Sequence, residues 1–336
     1  MRNIHEWKKQ VMNHTQLLAF PIMTHPGIEM LRISVKQAVS DGDLQFQAIK
    51  ILSEKYSFTA SSMIMDLSVE AEAFGAQIQF HENEVPTIIN RLVTDHRSIH
   101  DLAVPTLESG RVPQYLRAAQ LAVKEITDRP VFAGCIGPFS LAGRLYGLTE
   151  ILMEILLDPS PIHLLLEKCT QFLQKYGERF KQIGANGIFM AEPAAGMLSP
   201  QDCQKFSSDY VKKIVDYLQD DSFLVILHNC GNTNLLVESM QSTGAGALHF
   251  GNNCDLLSAL KRIDSDRLVM GNLDPVAVFR MASPEEVYQK TKNLLLATKD
   301  FSNYIISSGC DIPPGVPPVN IEAFQKAIED YNNSSI

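Results

Sequence analysis

The chain has 336 residues, 45% of them hydrophobic and 20% charged, a balance that excludes a disordered or low-complexity polypeptide and allows a large core. Its net charge of −9, with 29 basic residues scattered rather than clustered, argues against nucleic acid as the main partner and for a small molecule or another protein. No apolar run reaches the length of a signal-peptide core or a membrane span, so a cytoplasmic protein with no membrane partner is expected. The six cysteines are too sparse for a disulfide framework, which leaves packing, metal ligation or nucleophilic roles.

Residues 1–15 are expected to form a helical lead-in, amphipathic over residues 2–14. The run LLAFPIMTHPG reads as a first strand ending near Thr24 or His25, broken by Pro26 and Gly27. From Ile28 to Tyr56 apolar residues recur at three and four, which predicts a long helical region interrupted at AVSDGD. The stretch SSMIMDLSVEAEAFG begins as a second short strand with Asp66 at its end. Residues 76–115 are the least regular part and an insertion or lid candidate: QIQFHENEVP suits a hairpin arm, and Pro105, Gly110 and Pro113 are turn formers. A helix from Gln114 to Thr127 leads to a third strand, Val131 to Ile136, stopped by Gly137-Pro138 and followed by two helical segments.

Beyond that point the pattern is rhythmic. NGIFMAEP, FLVILHNCGN, GALHFGNN, RLVMGNLDP and NYIISSGCDIPPG each precede a helical stretch. The predicted strands begin near Leu18, Met63, Val131, Gly187, Phe223, Ala247, Leu268 and Tyr304. Eight short apolar strands alternating with helices predict an α/β fold, a (βα)8 TIM barrel in which residues 1–336 make one domain.

Polar residues gather where strands give way to loops, and in a barrel those ends converge on one face. Side chains at i and i+2 of a strand share a face, so His228 and Cys230 point the same way. Cys310 ends the last strand and supplies a third donor, giving a Cys₂His set with one open position, the pattern of a catalytic rather than a structural zinc site. Spacing alone leaves the plainer reading open, in which each cysteine is a buried filler and the histidine a satisfied polar group. GCIGPFSLAG lacks the ending of a phosphate loop and reads as a barrel turn, Asn232 and Thr233 as helix caps, and His249 as a structural residue of an apolar strand.

The strings HNCGNT and SSGCDIPPGVPPVNIEAF, with MDLSVEAEAFGAQIQF, GCIGPFSLAGRLYG and MAEPAAGMLSP, resemble the uroporphyrinogen decarboxylase superfamily, and within it the methylcobalamin:coenzyme M methyltransferase branch. The resemblance covers nearly the whole chain. It implies Zn²⁺ held by His228, Cys230 and Cys310, a small thiol acceptor such as coenzyme M, and a methylcorrinoid (methylcobalamin) as co-substrate. The corrinoid would arrive on a carrier protein docked over the barrel mouth. Asp66 and Glu192 become catalytic candidates that position the thiol or contact the corrinoid, with loop or helix capping as the alternative for each. Glu192 or water is also a candidate fourth zinc ligand. The chain departs from the branch at HFGNNCD, where an acidic residue is often found. It departs from the decarboxylases at THPGIEMLR, which replaces an arginine-rich segment and retains Arg32. Decarboxylation of the uroporphyrinogen type is therefore the second reading, and a non-catalytic corrinoid- or metal-binding barrel the third.

Overall fold

A computed structural model describes residues 3–13 and 16–334. Of the predicted lead-in, residues 1, 2, 14 and 15 lie outside the described residues.

The described residues form nine strands: β1 (Ser61–Ser62), β2 (Ile78–Gln79), β3 (Thr87–Ile88), β4 (Val131–Ile136), β5 (Gly187–Ala191), β6 (Leu224–Asn229), β7 (Ala247–Phe250), β8 (Leu268–Leu273) and β9 (Tyr304–Ser308). Strands β2 and β3 pair antiparallel as the predicted hairpin. The other seven form one sheet in the order β1-β4-β5-β6-β7-β8-β9, every neighbouring pair parallel. The first predicted strand, near Leu18, survives as a single parallel bridge between Ala19 and Ile306. It nevertheless joins the two edges of the sheet. Phe20 N donates to Ile306 O (3.0 Å), Ile306 N to Leu18 O (3.1 Å), and Thr59 N to Ala19 O (3.0 Å). Pro21 explains its shortness, because a residue without an N–H cannot extend a ladder.

Alternation along the strands separates two apolar regions. Phe20, Phe132, Phe189, Leu224, Ile226, Ala247, Leu268, Met270 and Ile305 pack together inside the sheet, whereas Val131, Ala133, Ile188, Val225, Leu227, Leu248 and Val269 join the larger layer beneath the helices. Strand positions of opposite parity thus serve the two cores. The helix Ile4–Met12 closes the amino-terminal end of the barrel: Asn3 caps it, and Ile4, Trp7 and Val11 are buried among the interior residues. Trp7 Nε1 donates to Thr59 Oγ1 (3.1 Å) and Thr59 O (3.3 Å). Burying a side chain of this size contributes on the order of 2–3 kcal/mol.

The helical layer is more divided than periodicity predicts. The region from Ile28 to Tyr56 is three helices, His25–Leu31, Val35–Ser40 and Gly42–Lys55, because Ser34 and Asp41 each accept hydrogen bonds from backbone N–H groups and start a new helix. After β4 there are three helices rather than two, Pro138–Tyr146, Leu148–Leu157 and Pro159–Ile183. Gly147, at φ 100°, takes a conformation open to glycine that ends the first. Within 76–115 the helix His96–Asp101 is held by Lys168, whose Nζ donates to the carbonyls of Ile99, His100 and Leu102 at 2.7, 2.6 and 2.6 Å.

Candidate metal centre

Because β6 alternates, Leu224, Ile226 and His228 all face the barrel interior, the first two in its apolar core and the last one layer above. One residue past the strand, Cys230 lies on the same side, in a turn fixed by Asn229. That side chain accepts from Gly231 N (2.8 Å) and donates to Glu192 O (2.7 Å). Cys310 follows β9 and is brought in by the first segment of the chain. Ile22 N donates to Ser308 Oγ (3.0 Å), Thr24 N to Asp311 Oδ1 (2.7 Å), and Ile312 N to Ile22 O (3.0 Å). The result is that one donor atom from each of His228, Cys230 and Cys310 lies within 4.8 Å of the others, which among the described residues is the group of side chains able to hold a metal ion.

Two glycines make the approach of these loops feasible. A Cβ on Gly251 would stand 2.6 Å from Cys230 Cα, and one on Gly309 would stand 2.6 Å from Asn252 N. Both contacts are with backbone, which has little room to yield. This accounts physically for glycine at position 251.

The electrostatics of the cluster suit a cation. Cys230 is held well below the ordinary thiol value, first by a hydrogen bond from Cys310. Cys310 is pushed up, first by its hydrogen bond to Cys230 and then by burial. One of the two adjacent thiols thus ionises readily while the other keeps its proton, and a dication is the species that lets both ionise. Soft thiolates with one imidazole form a donor set that fits zinc. His228 is buried, and its Nδ1 lies 2.8 Å from Nδ1 of His249 on β7. His249 is fully buried, with Nε2 2.9 Å from Ser307 Oγ on β9. Burial, with the neighbouring His228, keeps His249 well below the ordinary imidazole value.

Asp66 and Glu192 occupy other networks. Asp66 accepts from Arg111 Nη1 (2.6 Å), Tyr115 Oη (3.1 Å), Ser68 N (2.9 Å) and Ser68 Oγ (2.6 Å), and its side chain is fully buried. Glu192 accepts from Phe139 N (2.7 Å), Ser140 N (3.0 Å) and Ser207 Oγ (3.0 Å). It therefore caps the first turn of the helix Pro138–Tyr146 from a neighbouring strand end. Burial raises its carboxyl above the usual value, and those bonds oppose the rise. His249, Asn229, Thr24 and Gly251 were not legible as parts of the site, since each acts through a register or loop contact between segments far apart in sequence.

The cluster lines a cavity of about 120 Å³ whose other walls include Ile22, Met65, Leu67, Ala191 and Pro193. Among the described residues, Asp311 is the one ionisable side chain there besides the three donors, and no lysine or arginine lines it.

Residues 21–331 match the family described as Uroporphyrinogen decarboxylase (URO-D). A methylcobamide:CoM methyltransferase of Methanosarcina acetivorans is 28% identical over 278 residues, 82% of this chain and 80% of its own length. A uroporphyrinogen decarboxylase of Edwardsiella ictaluri is also 28% identical, over 286 residues, covering 82% of this chain and 79% of its own length. In structure, a methyltransferase from Methanosarcina mazei superposes with a TM-score of 0.89 at 19% identity, covering 98% of this chain and 99% of its own. That likeness shows the fold. Sequence identity alone does not separate the two named activities, so the side chains of the site must.

Proposed function

The chain belongs to the uroporphyrinogen decarboxylase family, and from that premise we propose that it is a methyltransferase, moving a methyl group from a methylated corrinoid to a zinc-activated thiol such as coenzyme M. The observation that carries this reading is the convergence of His228, Cys230 and Cys310 in an apolar cavity. These three side chains would hold Zn²⁺, which when bound keeps a thiol ligand deprotonated at neutral pH and hence nucleophilic.

The chain's own residues do the rest. Ile22, Met65, Leu67 and Pro193 exclude water around the donors, so that a thiolate there is poorly solvated and reactive. A cavity of about 120 Å³ suits a small thiol and is below the size of drug-like ligand sites, ~300–1,000 Å³. The larger corrinoid must therefore present its methyl group from above. In the transfer a C–S bond forms as the Co–C bond breaks. The Co–C electron pair stays on cobalt, and the thiol proton has already gone to solvent. Exposed Met197, Leu235, Val276 and Met281 follow β5, β6 and β8 at this face, and apolar groups in such a position favour docking of a carrier protein. Asp66 and Glu192 act as positioning groups in this scheme, holding the loops that wall the cavity. Among the described residues no helix is long and apolar enough to cross a membrane.

Decarboxylation of a porphyrinogen fits the site less well. A substrate with several carboxylates needs cationic partners, whereas among the described residues the cavity walls carry no lysine or arginine and Arg32 is exposed. Asp66, fully buried, is paired with Arg111 and is not free to meet such a substrate. The test is incubation of zinc-replete protein with methylcobalamin and either coenzyme M or homocysteine. Loss of the methylcobalamin spectrum with formation of the methyl thioether is expected. A protein that contains stoichiometric zinc yet methylates no thiol would overturn the reading, and would favour a barrel that only binds.

A further inference from the structure

A line of hydrogen bonds crosses the barrel directly beneath the three donors. Ser307 Oγ donates its one proton to the carbonyl of Phe20 (2.6 Å) and lies 2.9 Å from His249 Nε2. With that proton spent, Ser307 can only accept, so His249 carries its proton on Nε2. Its Nδ1 is then an acceptor, and the atom 2.8 Å away, His228 Nδ1, must be the donor. The sequence of bonds leaves His228 Nε2 as a bare lone pair. That nitrogen is the one remaining to join Cys230 and Cys310, since Nδ1 is occupied.

We infer that His249, supported by Ser307 and the Phe20 carbonyl, is a positioning residue that fixes the tautomer and ring orientation of His228 so that Nε2 is presented, unprotonated, to the metal. His228 and His249 are register partners across β6 and β7, and their rings stand 4.7 Å apart at 74°. Phe189 packs edge-on against both, at 5.9 and 5.1 Å. Both imidazoles are thus clamped from the apolar side. Histidine ligands are commonly oriented by an outer carboxylate or carbonyl; here the outer group is a neutral imidazole. The difference has a chemical consequence. Two thiolates and a dication sum to zero charge, and a neutral outer group keeps the site neutral until an anionic thiolate enters. An outer carboxylate would make it negative beforehand and repel the acceptor.

This inference rests on the metal role proposed above, but its test does not depend on methyl transfer. In metal-free wild-type protein, long-range ¹H–¹⁵N spectra of His228 should show Nδ1 protonated and Nε2 bare. His249→Phe fills the same space without an acceptor. It should lose that tautomer preference and bind Co²⁺, followed by its thiolate-to-cobalt absorption, roughly 10–100-fold more weakly. His249→Gln offers a carbonyl and an amide N–H in place of the two ring nitrogens and should recover affinity to within roughly 3-fold of wild type. A His228 protonated on Nε2 in the wild-type protein would overturn the inference, whether or not the variants fold. So would a folded His249→Phe with unchanged Co²⁺ affinity, or a His249→Gln that is no better than His249→Phe. If wild-type protein binds neither Co²⁺ nor Zn²⁺, the metal reading fails, while the tautomer still decides the relay.

Discussion

Replacing Asp66 by alanine separates a structural carboxylate from a catalytic one. In the wild-type chain its side chain is fully buried and the Arg111 side chain is 8% exposed. Arg111 spends its donors on Asp66, Glu72, Ser68 Oγ and the Val39 carbonyl. Removing Asp66 leaves the buried guanidinium with Glu72 as its one anionic partner and strands Tyr115 Oη, which donates to Asp66 at 3.1 Å. Breaking a buried ion pair from one side costs about 3–5 kcal/mol, and the surviving Glu72 contact places the expectation near the lower figure. Against a total stability of about 5–15 kcal/mol that loss is severe. Urea unfolding should show a lower midpoint with little change in slope. The double variant Asp66→Ala/Arg111→Met should lose less than the sum of the single variants, with a coupling of at least about 2 kcal/mol. Methyl transfer per folded molecule should fall far less than the ~10²–10⁴-fold typical of a lost general acid or base. Unchanged stability together with a 100-fold loss of activity would refute the structural role and return Asp66 to the reaction.

Other outcomes follow from the same contacts. Cys310→Ser should lower bound zinc and activity together, because an alcohol is a poor substitute for a thiolate ligand; unchanged metal content by atomic absorption would remove Cys310 from the site. Gly251→Ala should drive Cys230 from its place, since the new methyl would meet its backbone at 2.6 Å. A stability loss of about 1–3 kcal/mol and weaker metal binding are expected, and wild-type affinity in a folded variant would contradict the packing argument. Glu70 is buried beneath β4, with one carboxylate oxygen accepting from Ile136 N and the other unpartnered. Burial is the first cause that raises it from 4.5 to about 7. Its protonated form is the one the fold favours, so that contribution is complete below the unfolded value of 4.5 and is lost as pH rises through about 7. Relative to Glu70→Gln, the wild-type protein should lose about 2–3 kcal/mol of stability between pH 5 and pH 8. Parallel stability profiles for the two proteins would refute it.

The parallel, barrel-like sheet was legible because its strands are short apolar runs set between helical stretches. Val131, Gly187, Ala247, Leu268 and Tyr304 begin strands where the pattern places them, and Leu224 does so one residue late. The first strand was legible in place but not in extent, since Pro21 reduces it to one bridge. Helix boundaries inside 28–56 depended on which of several polar residues would cap, a choice made by tertiary contacts. At the site, period-two alternation put His228 and Cys230 on one side, and the strand-end position of Cys310 put it opposite. What remained hidden was everything governed by register: the pairing of His228 with His249, and the approach of Gly251 to Cys230. Strand ends flagged Asp66 and Glu192 as polar groups at the mouth. Their partners, Arg111 in one case and the helix beginning at Pro138 in the other, come from segments whose placement no local pattern reveals.

The claim that this site binds zinc in order to activate a thiol is tested most directly by zinc X-ray absorption on purified protein with and without coenzyme M. The account predicts a resting first shell with two sulfurs at ~2.3 Å and nitrogen at ~2.0 Å, gaining a third sulfur when the thiol is added. A sulfur count unchanged by saturating thiol, or a shell with fewer than two sulfurs at rest, would contradict it.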